Sequence, residues 1–257
     1  MTRCDAAAVL AGSGAAVPTS PELQQLDEVI SHATRLLRVG RSPEALAELG
    51  PAIARLEALD DRRLLARALA ARAQGGYLET SPEAQAWSSA ALAGAMRAGD
   101  DVRFAEVAAN QLGLVASEPA ARELWLRLGE AALERDAGAD HDPVRAKLLT
   151  NYGNALRSEG RFAEAEAMHR EALALRRRDP AAQIQIADSL FNISAVLAAQ
   201  GRVAEARPLA HEAIEIWERA LGSQHPRMLT GLGNLALMAE VTADYVEADA
   251  LATRAVA

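Results

Sequence analysis

The chain has 257 residues, of which 50% are hydrophobic, 4% aromatic and 24% charged, and its formal net charge is −8. This is the composition of a folded protein, and the negative charge argues against a nucleic-acid binder, which needs a basic face. The single cysteine, Cys4, excludes an internal disulfide and a cysteine metal cluster, and no segment is apolar for long enough to span a membrane.

The first 140 residues predict helices that repeat only loosely. Residues 1–21 predict a short helical segment followed by a linker rich in Gly, Ser and Pro. Gly40-Arg41 ends the next helix, and Gly75-Gly76 is expected to break a later one early, because glycine weakens a helix. Three predicted helix pairs therefore follow the linker, over residues 23–59, 62–98 and 102–135.

A pattern then recurs at fixed spacing between residues 141 and 257. Asn151 recurs as Asn192 after 41 residues (192 − 151) and as Asn234 after 42 (234 − 192). Gly160-Arg161 recurs as Gly201-Arg202, also 41 residues later (201 − 160). Each copy predicts a first helix with apolar residues at i, i+3, i+4 and i+7 and a second helix with a narrow stripe of small residues. A fixed period of this size is typical of stacked repeats.

We therefore predict an all-α fold, a right-handed α-solenoid of about six antiparallel helix pairs. The last copy ends inside its second helix at Ala257, so we expect that repeat to be truncated. A fragment of a longer protein is the preferred explanation. A frayed end and pairing with another copy are the alternatives.

Three sequence runs resemble a known family. They are Asn-Tyr-Gly-Asn-Ala-Leu at 151–156, Gly-Arg-Phe-Ala-Glu-Ala at 160–165 and Gly-Ser-Gln-His-Pro at 222–226. They resemble tetratricopeptide repeats, in the longer form found in kinesin-light-chain-like proteins. The resemblance implies degenerate repeats over 22–140, three well-matched repeats over 141–257, and a scaffold that binds a peptide or a partner helix on its concave face.

The resemblance also implies candidate binding residues. In this family the first helices line the concave face, and asparagines at matching positions hold the backbone of a partner peptide. Asn151, Asn192 and Asn234 occupy such positions, and a carboxamide can donate and accept hydrogen bonds together. The alternative is that all three are solvated polar residues on an exposed face.

A second candidate set lies on the same face of the first of these helices. Lys147, Asn154 and Arg157 resemble a clamp that holds a C-terminal carboxylate in some family members. The matching positions one repeat later are Asp188, Ala195 and Ala198. Since these residues do not repeat the clamp, ordinary helix-surface charge is the alternative.

A weaker resemblance covers most of the chain. Arg3-Cys4 with the alanine run after it, followed by about six helix pairs, is similar to the region after the kinase domain in many myxobacterial serine/threonine protein kinases. It implies an alternative function, the sensory or regulatory region of such a kinase. The sequence carries no glycine-rich phosphate loop and no catalytic-loop motif.

We therefore predict a chain that is not an enzyme, with no cofactor and no metal. Its partner is expected to be a protein or a peptide, without nucleic acid. We expect a cytoplasmic location if the chain is complete. A periplasmic or extracellular location is expected if the chain belongs to a membrane-anchored kinase.

Overall fold

The computed structural model describes residues 20–114, 118–136 and 141–256. Twelve helices and no strand lie within these residues. The helices are α1 (Pro21–Arg38), α2 (Ser42–Leu59), α3 (Arg62–Leu78), α4 (Ala84–Ala98), α5 (Asp101–Leu114), α6 (Pro119–Arg135), α7 (Asp142–Ser158), α8 (Phe162–Arg176), α9 (Gln183–Ala199), α10 (Val203–Leu221), α11 (Pro226–Val241) and α12 (Tyr245–Val256). Most of the predicted N-terminal segment, 1–21, lies outside the described residues, and so do Arg3-Cys4 and Ala257.

The chain divides into two compact units. Unit 1 comprises Met1–Val107 with Ala131–Asp140, and unit 2 comprises Ala108–Glu130 with His141–Ala257. In unit 1, α1 packs on α2, α2 on α3 and α3 on α4, while α1 also lies beside α3. In unit 2, each helix from α7 to α12 packs on the next, α7 lies beside α9, and α9 lies beside α11. This stacking of helix pairs confirms the predicted all-α solenoid.

Five of the helix pairs are joined by the same turn. In each, one residue adopts a left-handed backbone conformation, and the next residue donates a backbone hydrogen bond to the carbonyl five positions earlier. In the pair α7 and α8, for example, Arg161 donates to Leu156 over 3.0 Å. This bonding satisfies carbonyls that the end of a helix would otherwise leave without a partner. The left-handed residues are Gly40 (φ 78°), Thr80 (φ 50°), Gly160 (φ 76°), Gly201 (φ 77°) and Ala243 (φ 57°).

The predicted break at Gly75-Gly76 is wrong. Helix α3 continues through both glycines to Leu78, and its turn comes at Thr80. A methyl group added at Gly75 would lie 2.8 Å from Cδ2 of Leu46, and one at Gly76 would lie 2.7 Å from Cε3 of Trp87. The two glycines therefore let the neighbouring helices approach closely, and this packing outweighs their low helix propensity.

Arginine–glutamate pairs follow three of these turns. Arg202 donates from Nε and Nη2 to the two carboxylate oxygens of Glu205, over 2.8 and 2.7 Å. The same two-pronged pair joins Arg41 to Glu44 and Arg161 to Glu164. The pairs are exposed and stabilise little individually. They explain why Gly-Arg and Glu recur together in the sequence.

Thr80 offers a test of the shared turn. Thr80→Gly should raise the free energy of unfolding by about 0.5–1 kcal/mol, because a β-branched residue is strained at positive φ. Urea unfolding monitored by circular dichroism would measure it. Gly201→Ala is the matched control and should lower stability by about 1 kcal/mol for the same reason. A Thr80→Gly variant less stable than wild type would contradict the shared turn.

Candidate functional site

The candidate residues lie on three first helices of unit 2. Helix α7 carries Lys147, Asn151, Asn154 and Arg157, α9 carries Asn192, and α11 carries Asn234. Each of the three repeated asparagines stands nine residues before the left-handed residue of its turn (160 − 151, 201 − 192, 243 − 234). They therefore share one register position. We call Asn151, Asn192 and Asn234 the amide row, and the side of α7, α9 and α11 that carries it the row face.

The three side chains of the amide row differ in their contacts. All three are partly exposed. The Asn151 amide donates to the carbonyl of Ala109 on α5, over 2.7 Å. Neither Asn192 nor Asn234 has a side-chain hydrogen bond to any other residue that the structure describes. Asn151 thus joins two first helices, while the other two amides are available to solvent or to a ligand.

The second candidate set, Lys147, Asn154 and Arg157, lies entirely on α7. Asn154 and Lys147 are partly exposed, and Arg157 is exposed. Within the described part of the chain, no carboxylate lies within ion-pair distance of Arg157. Many arginines of unit 2 are paired with acids, as Arg161 and Arg202 are. Arg157 therefore leaves a positive charge uncompensated by a direct partner.

Sequence reasoning missed a fourth asparagine at the same spacing. Asn110 precedes Asn151 by 41 residues (151 − 110), so the period itself was the signal that could have found it. Asn110 is buried, and its Oδ1 has no hydrogen-bond partner among the described residues. In unit 1, the residues nine before the left-handed Gly40 and Thr80 are Ser31 and Ala71. The repeated amide is therefore a feature of unit 2.

A polar cluster around Asp188 connects α9 to its two neighbouring helices. Asp188, four residues before Asn192, accepts from Nε1 of Trp217 over 3.0 Å and from Nη2 of Arg227 over 3.1 Å. Burial raises the pKa of Asp188, while Arg227 and Trp217 favour its ionised form. Asp188 is thus occupied by contacts that hold α9 against α10 and α11.

A buried histidine lies between α7 and α8. His169 is fully buried, and neither ring nitrogen has a hydrogen-bond partner among the described residues. A methyl group added at Gly153 would lie 2.9 Å from its Cε1. The equivalent pair one repeat later is Ser194 and Ala210 (194 − 153 and 210 − 169, both 41). The first repeat therefore pairs a glycine with a large imidazole, whereas both residues at the equivalent positions of the next repeat are small.

Two stretches of unit 2 match known sequence families. Residues 145–178 and residues 185–257 each match the tetratricopeptide repeat. Over these two stretches the chain is similar in sequence to tetratricopeptide repeats. Such repeats generally mediate interactions between proteins and typically form scaffolds without enzymatic activity. The two matches contain the whole amide row.

The solved structures of BtubC and pilF have a fold similar to that of this chain. BtubC (BKLC) from P. vanneervenii aligns over 90% of this chain and 89% of its own, at 18% identity and a TM-score of 0.61. Pseudomonas aeruginosa pilF aligns over 88% of both chains, at 21% identity and a TM-score of 0.54. A putative kinesin light chain from Podosopora anserina, with nearly identical TPR-like repeats, covers 90% of this chain and 92% of its own, at 18% identity and a TM-score of 0.42. No curated protein sequence matches the chain.

The described residues contain neither a candidate metal site nor a candidate membrane span. No group of three His, Cys, Asp or Glu side chains placed to hold a metal ion occurs in residues 20–114, 118–136 and 141–256. Over the same ranges, every helix is too short or too polar to cross a membrane.

The Gly153–His169 contact can be tested by a double-mutant cycle. Gly153→Ala alone should lower the free energy of unfolding by about 1–2 kcal/mol, because the added methyl group overpacks the imidazole. In a His169→Ala background the same change should raise stability by about 1 kcal/mol, because alanine is the better helix former. Urea unfolding of the four proteins gives the coupling energy. Additive effects would show that the two residues do not determine each other's size.

The pH dependence of stability should reveal the buried imidazole. Burial lowers the pKa of His169 from 6.5 to about 4, and the charges of Arg157 and Arg176 act in the same direction. Between these values the unfolded chain binds a proton that the folded repeat does not, so stability falls as the pH falls. Relative to His169→Ala, wild type should lose about 3 kcal/mol between pH 7 and pH 4. Denaturant unfolding at several pH values measures the loss, and parallel curves for the two proteins would contradict it.

Proposed function

We propose that the row face of unit 2 binds a protein partner through an extended peptide segment. The carrying observation is that the same amide recurs at one register position of three neighbouring helices, and that Asn192 and Asn234 have no side-chain partner among the described residues. An extended backbone presents N–H and C=O groups at regular intervals, and each carboxamide can bond one of each.

The amide row suits an extended segment better than a helix. The backbone groups in the middle of a helix are already bonded to one another, so they cannot use a row of carboxamides. Each amide–backbone bond contributes only about 0.5–1.5 kcal/mol net. Measurable affinity therefore needs several members of the row together with contacts to partner side chains.

Asn154, Lys147 and Arg157 extend this proposed surface along α7. Their side chains are partly or fully exposed on the helix that carries Asn151. Arg157, which has no acidic partner among the described residues, favours an acidic group in the bound segment. Whether that group is a side chain or a C-terminal carboxylate depends on the partner, and Asp188, Ala195 and Ala198 on α9 offer no second clamp.

We also propose a second setting for this binding surface, as part of a serine/threonine kinase. In it, the same row face recruits a protein to a serine/threonine kinase whose catalytic domain belongs to a longer chain. The row face would work by the same chemistry in either case. The gene sequence adjoining this chain distinguishes the two arrangements, because a kinase domain and a membrane segment would adjoin it only in the second.

Removing two amides tests the proposed function. Peptides selected from a random 12-residue display library on the wild-type protein should bind Asn192→Ala/Asn234→Ala about tenfold more weakly, because two backbone bonds are lost. Fluorescence anisotropy with labelled peptides measures the affinities. Glu215→Ala, an exposed change on α10, is the control and should leave binding unchanged. Equal affinity of the double variant and wild type for every selected peptide would overturn the proposal.

A further inference from the structure

An apolar surface lies on α11 and α12 of unit 2. Residues 228–239 of α11 include no charged side chain. Exposed large hydrophobic side chains concentrate in the same part of the chain. They are Leu229 (59% exposed), Leu237 (60%), Val241 (74%), Tyr245 (68%) and Val246 (84%). Exposed apolar side chains on a stretch without charge are typical of surfaces through which proteins bind one another.

Three residues of α11 form a row within this surface. Leu229, Gly233 and Leu237 stand four residues apart, so they lie along one side of the helix, and we call them the leucine ridge. Gly233 is partly exposed, and no neighbouring atom that the structure describes lies within 4 Å of a methyl group added there. The ridge therefore has a notch between two exposed leucines, and its order is the same in both chain directions.

The leucine ridge and the amide row lie on different sides of α11. Successive residues of an α-helix are turned by about 100°, so Leu229 lies about 140° around the helix from Asn234, and Gly233 lies about 100° from it. The centre of the ridge is thus turned away from the amide of Asn234. What covers the ridge is a separate question from what the amide row binds.

We propose that unit 2 forms a two-fold symmetric dimer through the leucine ridge, with α11 antiparallel to α11 of a second copy of this chain. Such an interface uses the same surface on both copies, so the surface must be complementary to itself. A two-fold axis at Gly233 brings Leu229 of one copy toward Leu237 of the other. It also brings the two glycines together, where the helices come closest. The dimer does not depend on the proposed function.

Head-to-tail stacking is the other way in which two copies could meet. It would place α1 of one copy on α11 of the next, and it would continue beyond two copies. One side of α1 exposes polar side chains at i, i+4, i+8 and i+11, namely Gln24, Glu28, His32 and Arg35. A polar side of this kind offers no apolar area to cover Leu229 and Leu237, whereas a second leucine ridge does.

The exposed area is sufficient for a weak dimer. A large apolar side chain that is about two-thirds exposed presents roughly 80–120 Å². The five side chains of the apolar surface therefore contribute about 400–600 Å² per copy. Thr230 and Glu240, which are exposed beside the ridge, add to this area. Specific interfaces begin at about 600 Å² per partner, so we expect dimerisation in the micromolar range.

Sedimentation velocity of the whole chain tests the proposal. Wild type should change from monomer to dimer between about 1 and 100 µM. Leu237→Glu should weaken dimerisation at least about tenfold, because it buries a charge in the interface. Met96→Ser removes a 71% exposed hydrophobic side chain from unit 1 and is the matched control, which should dimerise as wild type does. A monomer at every concentration, assemblies larger than a dimer, or an equal effect of both variants would overturn the proposal.

Gly233→Leu distinguishes this geometry from general adhesion of apolar surfaces. The change adds apolar area, so non-specific association would become stronger. In the proposed dimer it fills the notch and separates the two helices, so dimerisation should weaken at least about tenfold. Thermal unfolding of the dilute variant should not begin below that of wild type, because the added side chain meets no neighbour in one copy. Dimerisation as strong as that of wild type would overturn the proposal.

Cysteine cross-linking reports the direction of the two helices. Cys4→Ser removes the one natural thiol. In that background, Leu229→Cys and Leu237→Cys carrying different tags are mixed in equal amounts and oxidised. The antiparallel arrangement should give about fivefold more mixed disulfide than either same-tag disulfide, because only residues 229 and 237 of different copies come within bonding distance. An excess of same-tag disulfides would indicate parallel helices and would overturn the two-fold axis at Gly233.

Discussion

The turn shared by five helix pairs sets the register of the two helices in each of these pairs. One residue must enter the left-handed region so that the following N–H can reach a carbonyl five positions earlier, as Arg161 reaches Leu156. That requirement fixes where the first helix of each of these five pairs ends. Because the amide row stands nine residues before the left-handed residue in three repeats, the turn also places these amides in line.

The sequence predicts those features of the fold that depend on the spacing of residues within one repeat. The all-α class, most helix limits and the turns at Gly160 and Gly201 follow from period and glycine placement. Thr80 was missed because a β-branched residue rarely adopts positive φ, whereas Gly75-Gly76 imitated a turn. Two features could not be predicted from helix periodicity, because they depend on which helices pack together. They are the hydrogen bond from Asn151 to Ala109 and the absence of a hydrogen-bond partner for the ring nitrogens of His169 among the described residues.

Arginines that hold helices of unit 2 together are paired with acidic side chains, whereas Arg157 on the row face is not. Arg122, almost wholly buried, pairs with Glu159, and Arg202 bonds both Glu205 and Glu166. These contacts join helices of unit 2 to one another. Arg157 has no such acid among the described residues, and the amides of Asn192 and Asn234 have no partner there. The proposed binding surface thus consists of donors and charge that contacts among the described residues do not use.

The close approach of Gly153 and His169 has a consequence for how such an array can evolve. A crossover that exchanged α7 with α9 alone would set a serine against the imidazole in one hybrid and leave a void in the other. A crossover that moved α7 and α8 together would keep the glycine opposite the imidazole. For this contact, exchange of a whole helix pair is therefore less disruptive than exchange of a single helix.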